Sequence, residues 1–393
     1  MRLLQVTPYY HPALAFGGPA TKVKTIAEWL VQRGHQVTVL TSSMLAIDRV
    51  LSRHSVHAQV RGVSILYCAA PLRYRSVGFH PDALAFARRQ VASFDVIHIY
   101  GYYHALGPVV AARAWQARVP YVLEPLGAFR PIGRSWLKKQ LYHGLVGARM
   151  ARRARRVVAT SAQERDELCG AGLAAARIVL RRNGVDLDAF ARLPPRGELR
   201  TTIGIGEPER VALFLGRLCA KKGIDVLMRG FARHARRHRL IIAGPVEDAA
   251  YEQRLRQLAL ELAIERRVHF VGALYGRDRL AALRDADLLV LPSHNENFGN
   301  VVAEAIAANL PVVISEHCGI APLVQDRAGR VVALTPDAVG QAMAHLLDDE
   351  ELRARMRRRC PEVASGLAWH APLCELEALY GQLASERETS GTA

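Results

Sequence analysis

Two carboxylates, Glu296 and Glu304, stand eight positions apart in PSHNENFGNVVAEAIAANLPVVIS, residues 292–315. An apolar run ends at Leu291 just before it. Asn297, Phe298 and Gly299 form a loop, and a helical pattern covers about 300–308, opening at Asn300. The start of a helix carries unpaired N–H groups and a partial positive charge, which suits a phosphate. Gly299 lets a ligand approach the backbone closely. Glu304 can accept hydrogen bonds from ribose hydroxyls, as acidic residues do in dinucleotide-binding folds. Taken singly, Glu296 reads as a cap and Glu304 as a surface residue. Strand, glycine loop and helix in succession point instead to a nucleotide.

A second constellation is GRLCAKKGID, residues 216–225, directly after the apolar run VALFL. Arg217 and Lys222 lie five apart across a turn that closes at Gly223. Two cations at the end of a strand can clamp a diphosphate and stabilise the charge on a departing nucleoside diphosphate. IIAGP, residues 241–245, repeats the strand-to-glycine turn at Gly244 and is suited to floor a nucleotide pocket. The pair Gly17-Gly18 precedes a helical pattern but lacks the G-x-G-x-x-G spacing, so it argues little for a dinucleotide. Asp285-Ala286-Asp287 has the form of a D-x-D metal pair. It precedes its strand, however, at the wrong end of a sheet for ligand binding. Asp186-Leu187-Asp188 reads as a turn. No metal is expected. Neither a phosphate-binding P-loop nor a G-x-S-x-G nucleophile elbow is present.

These residues need strands and helices in alternation to place them. Apolar runs at 3–6, 36–40, 63–67, 96–100, 121–123, 157–160 and 178–180 are separated by helical stretches. Gly184, Pro194, Pro195 and Gly197 mark a linker. A second series begins at 211–215 and continues at 240–243, 268–271, 288–291, 312–314 and 331–334. Such alternation, twice over, predicts an α/β fold of two Rossmann-like, doubly wound parallel domains facing a cleft. The expected boundaries are 1–192 for a first domain and 193–365 for a second, nucleotide-binding domain. Residues 366–385 should form a C-terminal helix crossing back to the first domain, and 386–393 a disordered tail. Open α/β sheets bind ligands beyond the carboxyl ends of their strands, where the motifs above fall.

Composition narrows the class. The 393 residues are half hydrophobic and 23% charged, which excludes a largely disordered or fibrous chain. No apolar run has the length of a membrane span, and the N-terminus lacks the features of a signal peptide. The six cysteines are scattered without a C-x-x-C, which suits a reducing cytoplasm. The net charge is +17, and residues 1–192 hold all of it: 27 Lys and Arg against 10 Asp and Glu, with 26 of each in the remainder. A basic half beside a neutral half suggests an anionic partner for the first half. A solvated arginine-rich face is the plainer reading. Residues 132–156 mix Trp136, Leu137, Leu141 and Leu145 with basic residues, the pattern of an amphipathic helix at a membrane surface.

Together the motifs resemble the retaining glycosyltransferases of family 4 (glycosyl transferase group 1), which have the GT-B fold. The opening TPYYHPALAFGGPA with VQRGHQVTVLTSS is similar to the family's acceptor-side start. RRNGVDLDAF resembles its linker, GRLCAKKGID its diphosphate clamp, and the Glu296-to-Glu304 stretch its E-x-x-x-x-x-x-x-E signature. The resemblance implies that Arg217 and Lys222 bind the donor diphosphate and that Glu296 contacts the donor sugar. It implies further that Phe298 to Asn300, beside Asn297, offer backbone N–H groups to sugar and phosphate, and that Glu304 holds the ribose. Gly17 and Gly18 would sit near phosphate and acceptor. The implied donor is a nucleoside-diphosphate hexose, UDP- or GDP-linked, with no other cofactor. The implied acceptor is a glycan or a lipid-diphosphate-linked glycan.

One departure stands out. Many family members carry a His before a Gly after a strand like YVLEP, where this chain has Leu126 before Gly127. His98 and His104 follow another strand and are candidate substitutes. With Tyr102 and Arg130 they form the expected acceptor-side set. The expected setting is the cytoplasm, at the inner face of a bacterial plasma membrane, with no nucleic-acid partner. Two other readings stay open: a non-catalytic GT-B partner subunit, which Leu126 would favour, and a nucleotide-sugar epimerase on the same architecture.

Overall fold

The computed structural model describes every residue except 14–17, 46–48, 75–76, 130–135, 207 and 392–393. The chain divides into two units. Unit 1 comprises Met1–Arg182 and His370–Ala393, and unit 2 is Asn183–Trp369.

In unit 1 the strands are β1 (Arg2–Val6), β2 (Gln36–Ser42), β3 (Val56–Val60), β4 (Val63–Cys68), β5 (Leu72–Tyr74), β6 (Val77–Phe79), β7 (Val96–Tyr100), β8 (Tyr121–Glu124), β9 (Arg156–Ala159) and β10 (Ile178–Leu180). Eight of them form one sheet in the order β10-β9-β8-β7-β1-β2-β4-β3. All its pairs are parallel except β3 with β4. Parallel strands covered by helices on both faces read as continuous apolar runs, and β7 is buried at every position. The antiparallel β3 escaped the reading of apolar runs because its side chains are mostly exposed. Its turn into β4 uses Arg61 and Gly62, both at positive φ, 50° and 81°. That is the geometry a two-residue hairpin turn requires. β5 and β6 form a separate small hairpin.

In unit 2 the strands are β11 (Val211–Leu215), β12 (Arg239–Ala243), β13 (Val268–Gly272), β14 (Leu288–Leu291), β15 (Val312–Ser315) and β16 (Gly329–Val332). Their order is β13-β12-β11-β14-β15-β16, all parallel. This is the doubly wound order, in which the winding reverses between β11 and β14. Ligands bind at that reversal, beyond the carboxyl ends of the strands. In unit 1 the same reversal falls between β1 and β7.

The chain leaves unit 1 after Arg182, so the expected boundary at 192 lies inside unit 2. The local reason is a short zipper. Val185 donates its N–H to the Leu367 carbonyl at 2.8 Å, and a Cβ on Gly184 would lie 2.5 Å from Trp369. The C-terminal helix spans His370–Gly391 and belongs to unit 1. Leu373, Leu376, Tyr380 and Leu383 are buried along it. The segment expected to be disordered from Glu386 is helical as far as Gly391. Glu386 pairs with Arg155 at 2.7 Å, and Arg387 donates to the carbonyls of Phe94 and Ala92. Polar residues at a chain end read as a tail, but here they meet partners on unit 1.

Candidate donor site and its relatives

The loops that follow β11, β12 and β14 carry the predicted donor residues of unit 2, and β11 and β14 flank the reversal point. After β11 the chain turns through Arg217 to Lys222 and closes at Gly223, whose φ is 64°. A Cβ there would strike the Pro292 carbonyl at 2.1 Å, so only glycine lets this loop approach the end of β14. The Lys221 carbonyl accepts the His294 N–H at 2.9 Å, which joins the two loops. Gly244 plays the matching part after β12. A Cβ on it would fall 1.8 Å from the Gly216 carbonyl oxygen, and its own N–H donates to Gly272 at 2.7 Å.

After β14 the loop 296–298 is zipped to the segment 317–320. The Glu296 N–H donates to the His317 carbonyl, while the carbonyls of Glu296 and Phe298 accept from Gly319 and Ile320, each at 2.9 Å. The Phe298 ring is buried in the core of unit 2. Gly299, at φ 101°, precedes the helix Asn300–Ala307 without a capping side chain. Among the described residues, the backbone N–H groups of Phe298, Gly299 and Asn300 donate to no protein acceptor. Three unpaired donors at the start of a helix, beside two cations, make an anion cradle. The Asn300 side chain is held by Asn183 at 2.9 Å.

Each charged site residue is paired. Lys222 bonds Glu296, Arg217 bonds Glu247, and Arg279 bonds Glu304. Burial by itself would raise the Glu296 carboxyl, but Lys222, Lys221 and Arg217 outweigh it and hold the group below the usual range. At Glu304 the balance is opposite: burial wins over Arg279, and the carboxyl is raised. Neither Glu247 nor Arg279 was found by sequence reasoning. Glu247 follows the turn after β12 and Arg279 lies in the helix Gly276–Asp285, and no motif spacing links them to their partners.

The D-x-D pair serves the opposite end of the sheet. Asp285 accepts the N–H groups of Gly197, Leu199 and Arg200 at 2.5, 2.7 and 3.1 Å. Asp287 binds Arg200 at 2.8 Å, Arg196 at 3.0 Å and the Val211 N–H at 2.9 Å. Both carboxylates are consumed in tying the start of unit 2 to the amino ends of its strands.

The acceptor-side expectation fares differently. Gly17 and Arg130 lie outside the described residues, and Gly18 opens the helix Gly18–Gln32. His98, Tyr102 and His104 are 1, 1 and 4% exposed, so none presents a side-chain surface for an acceptor. His98 sits in mid-strand, its Nδ1 2.6 Å from the Tyr380 hydroxyl and its ring stacked on Tyr100. Tyr102 bonds His143 at 2.8 Å within an aromatic cluster that includes Phe129 and Tyr142. His104 accepts the Gly107 N–H at 3.3 Å. In place of an acceptor set, unit 1 holds a buried ionic cluster. Glu124, the last residue of β8, binds Lys22 and Arg181, the latter at 2.9 Å, with no more than 3% of any of the three exposed. Burial would raise Glu124, but the two cations hold it at about 2. Burial also pushes His98 down to about 3, so its ring is neutral. A lone Glu closing an apolar strand was the available sequence signal.

The Leu126 loop is pinned by a second buried carboxylate. Glu164 accepts from the Gly127 N–H at 2.6 Å and the Thr160 N–H at 2.8 Å. Leu126 and Gly127 both take positive φ, 59° and 70°.

A twice-repeated doubly wound fold with an anion cradle at the reversal of its second sheet defines a GT-B transferase. Family comparison agrees. Residues 17–184 match the glycosyl transferase 4-like domain and residues 195–363 match glycosyl transferases group 1. The chain belongs to this glycosyltransferase family. It is 29% identical over 401 residues to the D-inositol 3-phosphate glycosyltransferase of Corynebacterium jeikeium, covering 93% of this chain and 92% of that one. In fold it is similar to Anabaena HepE, solved with UDP and glucose, at TM-score 0.78 and 19% identity over 97% of this chain and all of that one. It is similar also to sucrose-phosphate synthase of Thermosynechococcus elongatus, at TM-score 0.74 and 20% identity over 98% of this chain and all of that one.

Proposed function

We propose that this glycosyltransferase is a retaining, metal-independent hexosyltransferase. It moves a hexose from UDP- or GDP-sugar to a glycan or lipid-diphosphate-linked acceptor in bacterial polysaccharide or glycoconjugate synthesis, at the inner face of the plasma membrane. The observation that carries the reading is the cradle of unit 2: three unpaired N–H groups at Phe298, Gly299 and Asn300 close to Lys222, Glu296 and Arg217. The β-phosphate of the donor takes these donors, with Arg217 and Lys222 neutralising the diphosphate. Glu304 accepts the ribose hydroxyls, and Glu296 accepts from the sugar once Lys222 turns to phosphate. Asn297 lies at the sugar, and Gly244 and Gly216 floor the nucleotide.

In the transfer the bond between the anomeric carbon and the diphosphate oxygen breaks. The acceptor oxygen attacks from the same face, and its proton passes to the departing phosphate. The leaving group then needs stabilising cations and N–H donors rather than a protein base, and those are the groups this site supplies. HepE, a fold neighbour, is described with UDP and glucose.

The test is thermal stabilisation across UDP-, GDP-, ADP- and dTDP-sugars, each with and without EDTA. A true donor raises the midpoint in proportion to the logarithm of its concentration above Kd. One EDTA-insensitive hit supports the reading, and the anomeric configuration of the product, read by NMR, decides retention. A hit lost in EDTA would overturn metal independence. No hit would favour the partner-subunit reading that Leu126 suggests.

A further inference from the structure

We propose that residues 136–153, with the exposed end of the helix Leu106–Gln116, form a face of unit 1 that docks on an anionic lipid bilayer. The inference rests on the reading of a transferase at the membrane and names the surface that would hold it there.

Residues 136–153 are helical throughout: α over Trp136–Tyr142, a wider i→i+5 turn over His143–Gly147, and α again over Ala148–Arg153. The inner side rests on the aromatic cluster. The Tyr142 hydroxyl donates to the Tyr102 carbonyl at 2.7 Å, and Gly147 lies where any Cβ would strike the Tyr102 ring. The outer side is apolar. Leu137, Leu141 and Leu145 are 70, 64 and 67% exposed, and Trp136 is 49% exposed. Their four-residue spacing over-runs one α turn slightly, whereas the wider turn falls short of one, so it brings Leu145 back into line. The result is a leucine stripe on which, among the described residues, nothing packs.

Cations flank the stripe. Arg149 and Arg152 are exposed, and among the described residues neither has an acidic partner. Arg153 lies 4.4 Å over the ring of Trp115, itself 53% exposed at the end of the neighbouring helix. An indole at each end, leucines between and unpaired arginines beside them is the composition of an interfacial helix. The excess charge of the chain lies wholly in this half.

The charge selects the occupant. A second copy placed on the stripe by a two-fold axis would bring arginines against arginines. A nucleic acid would satisfy the arginines and leave the leucines in water. An anionic bilayer accepts both: phosphates meet the guanidinium groups, and the leucines and indoles enter the headgroup boundary.

The experiment is co-sedimentation of the full chain with vesicles of phosphatidylcholine alone or containing about a third phosphatidylglycerol. Binding to the anionic vesicles only, weakening as salt rises, is expected. The triple variant Leu137→Glu, Leu141→Glu, Leu145→Glu should lose partitioning at least tenfold while its nucleotide-sugar stabilisation stays unchanged, which shows that it folds. Arg149→Glu with Arg152→Glu should weaken binding and flatten its salt dependence. The proposal is overturned if the wild type ignores anionic vesicles or if the leucine variant binds them as well as wild type. It is also overturned if that variant instead converts a dimer to a monomer on gel filtration. Vesicle binding requires no donor, so this result and the donor panel fail independently.

Discussion

Glu304 shows how a single pairing can set a residue's chemistry. Burial raises its carboxyl and Arg279 pulls it partway back. Without Arg279 the pKa moves further up. As pH falls, more of the carboxyl is then protonated, and a protonated carboxyl offers ribose fewer acceptor sites. Arg279→Leu is therefore expected to weaken donor binding in mildly acidic buffer and little in mildly alkaline buffer, with Arg279→Lys restoring most of the loss. Calorimetric Kd values across pH check this. An equal loss at every pH would mean that Arg279 acts only through packing, and tighter binding in the variant would make it a competitor of the ribose. Lys222 and Glu296 form the parallel case: in this structure each is the other's partner, and under the proposed function phosphate and sugar replace that pair.

At the scale of elements, the buried cluster of unit 1 joins β7, β8, the first helix and the C-terminal helix. Glu124 at about 2 and His98 at about 3 both lie below their ordinary values of 4.5 and 6.5. In acid the unfolded chain therefore binds more protons than the folded one, and stability falls with pH. The loss begins as pH drops below the ordinary histidine value, through His98, and steepens below the ordinary carboxyl value, through Glu124. The near-UV circular dichroism midpoint should follow that course. Tyr380→Phe removes the partner of the His98 Nδ1 and should cost about 1–3 kcal/mol in denaturant unfolding. A variant as stable as wild type would show that docking of the C-terminal helix does not depend on this hydrogen bond. In unit 2, Gly244→Ala would force the Gly216 loop aside. Donor stabilisation should disappear even where the protein still folds, which circular dichroism can check.

Over the whole molecule, charge and chemistry are divided: residues 1–192 hold all the excess positive charge, and the second unit holds the anion cradle. Asp287 lies at the end of its sheet opposite that cradle, as spacing alone indicated. Asp287→Asn should leave Arg196, Arg200 and Arg210 without this carboxylate and cost about 3–5 kcal/mol of stability. The donor KM should stay near wild type, with and without EDTA. A large rise in KM with unchanged stability would assign Asp287 to the site after all.

Much of this was legible because it is local. Strand, glycine loop and helix follow one another within a few residues around Gly299 and Gly223, and backbone sterics there admit almost nothing else. The sequence by itself therefore determined the alternation of elements, the family, and the placement of Arg217, Lys222, Glu296 and Glu304 just beyond strand ends. Tertiary structure decided everything that depends on partners distant along the chain. His98 looked available to a ligand because its strand position was visible, but Tyr380 and Glu124, which bury it, were not. The edge strand β3 was hidden because an exposed strand buries no apolar run, and the tail because its order comes from Arg155 and the carbonyls of Ala92 and Phe94. Spacing along the chain reports what the backbone can do within a few residues. Burial and charge pairing arise only when segments far apart in sequence meet.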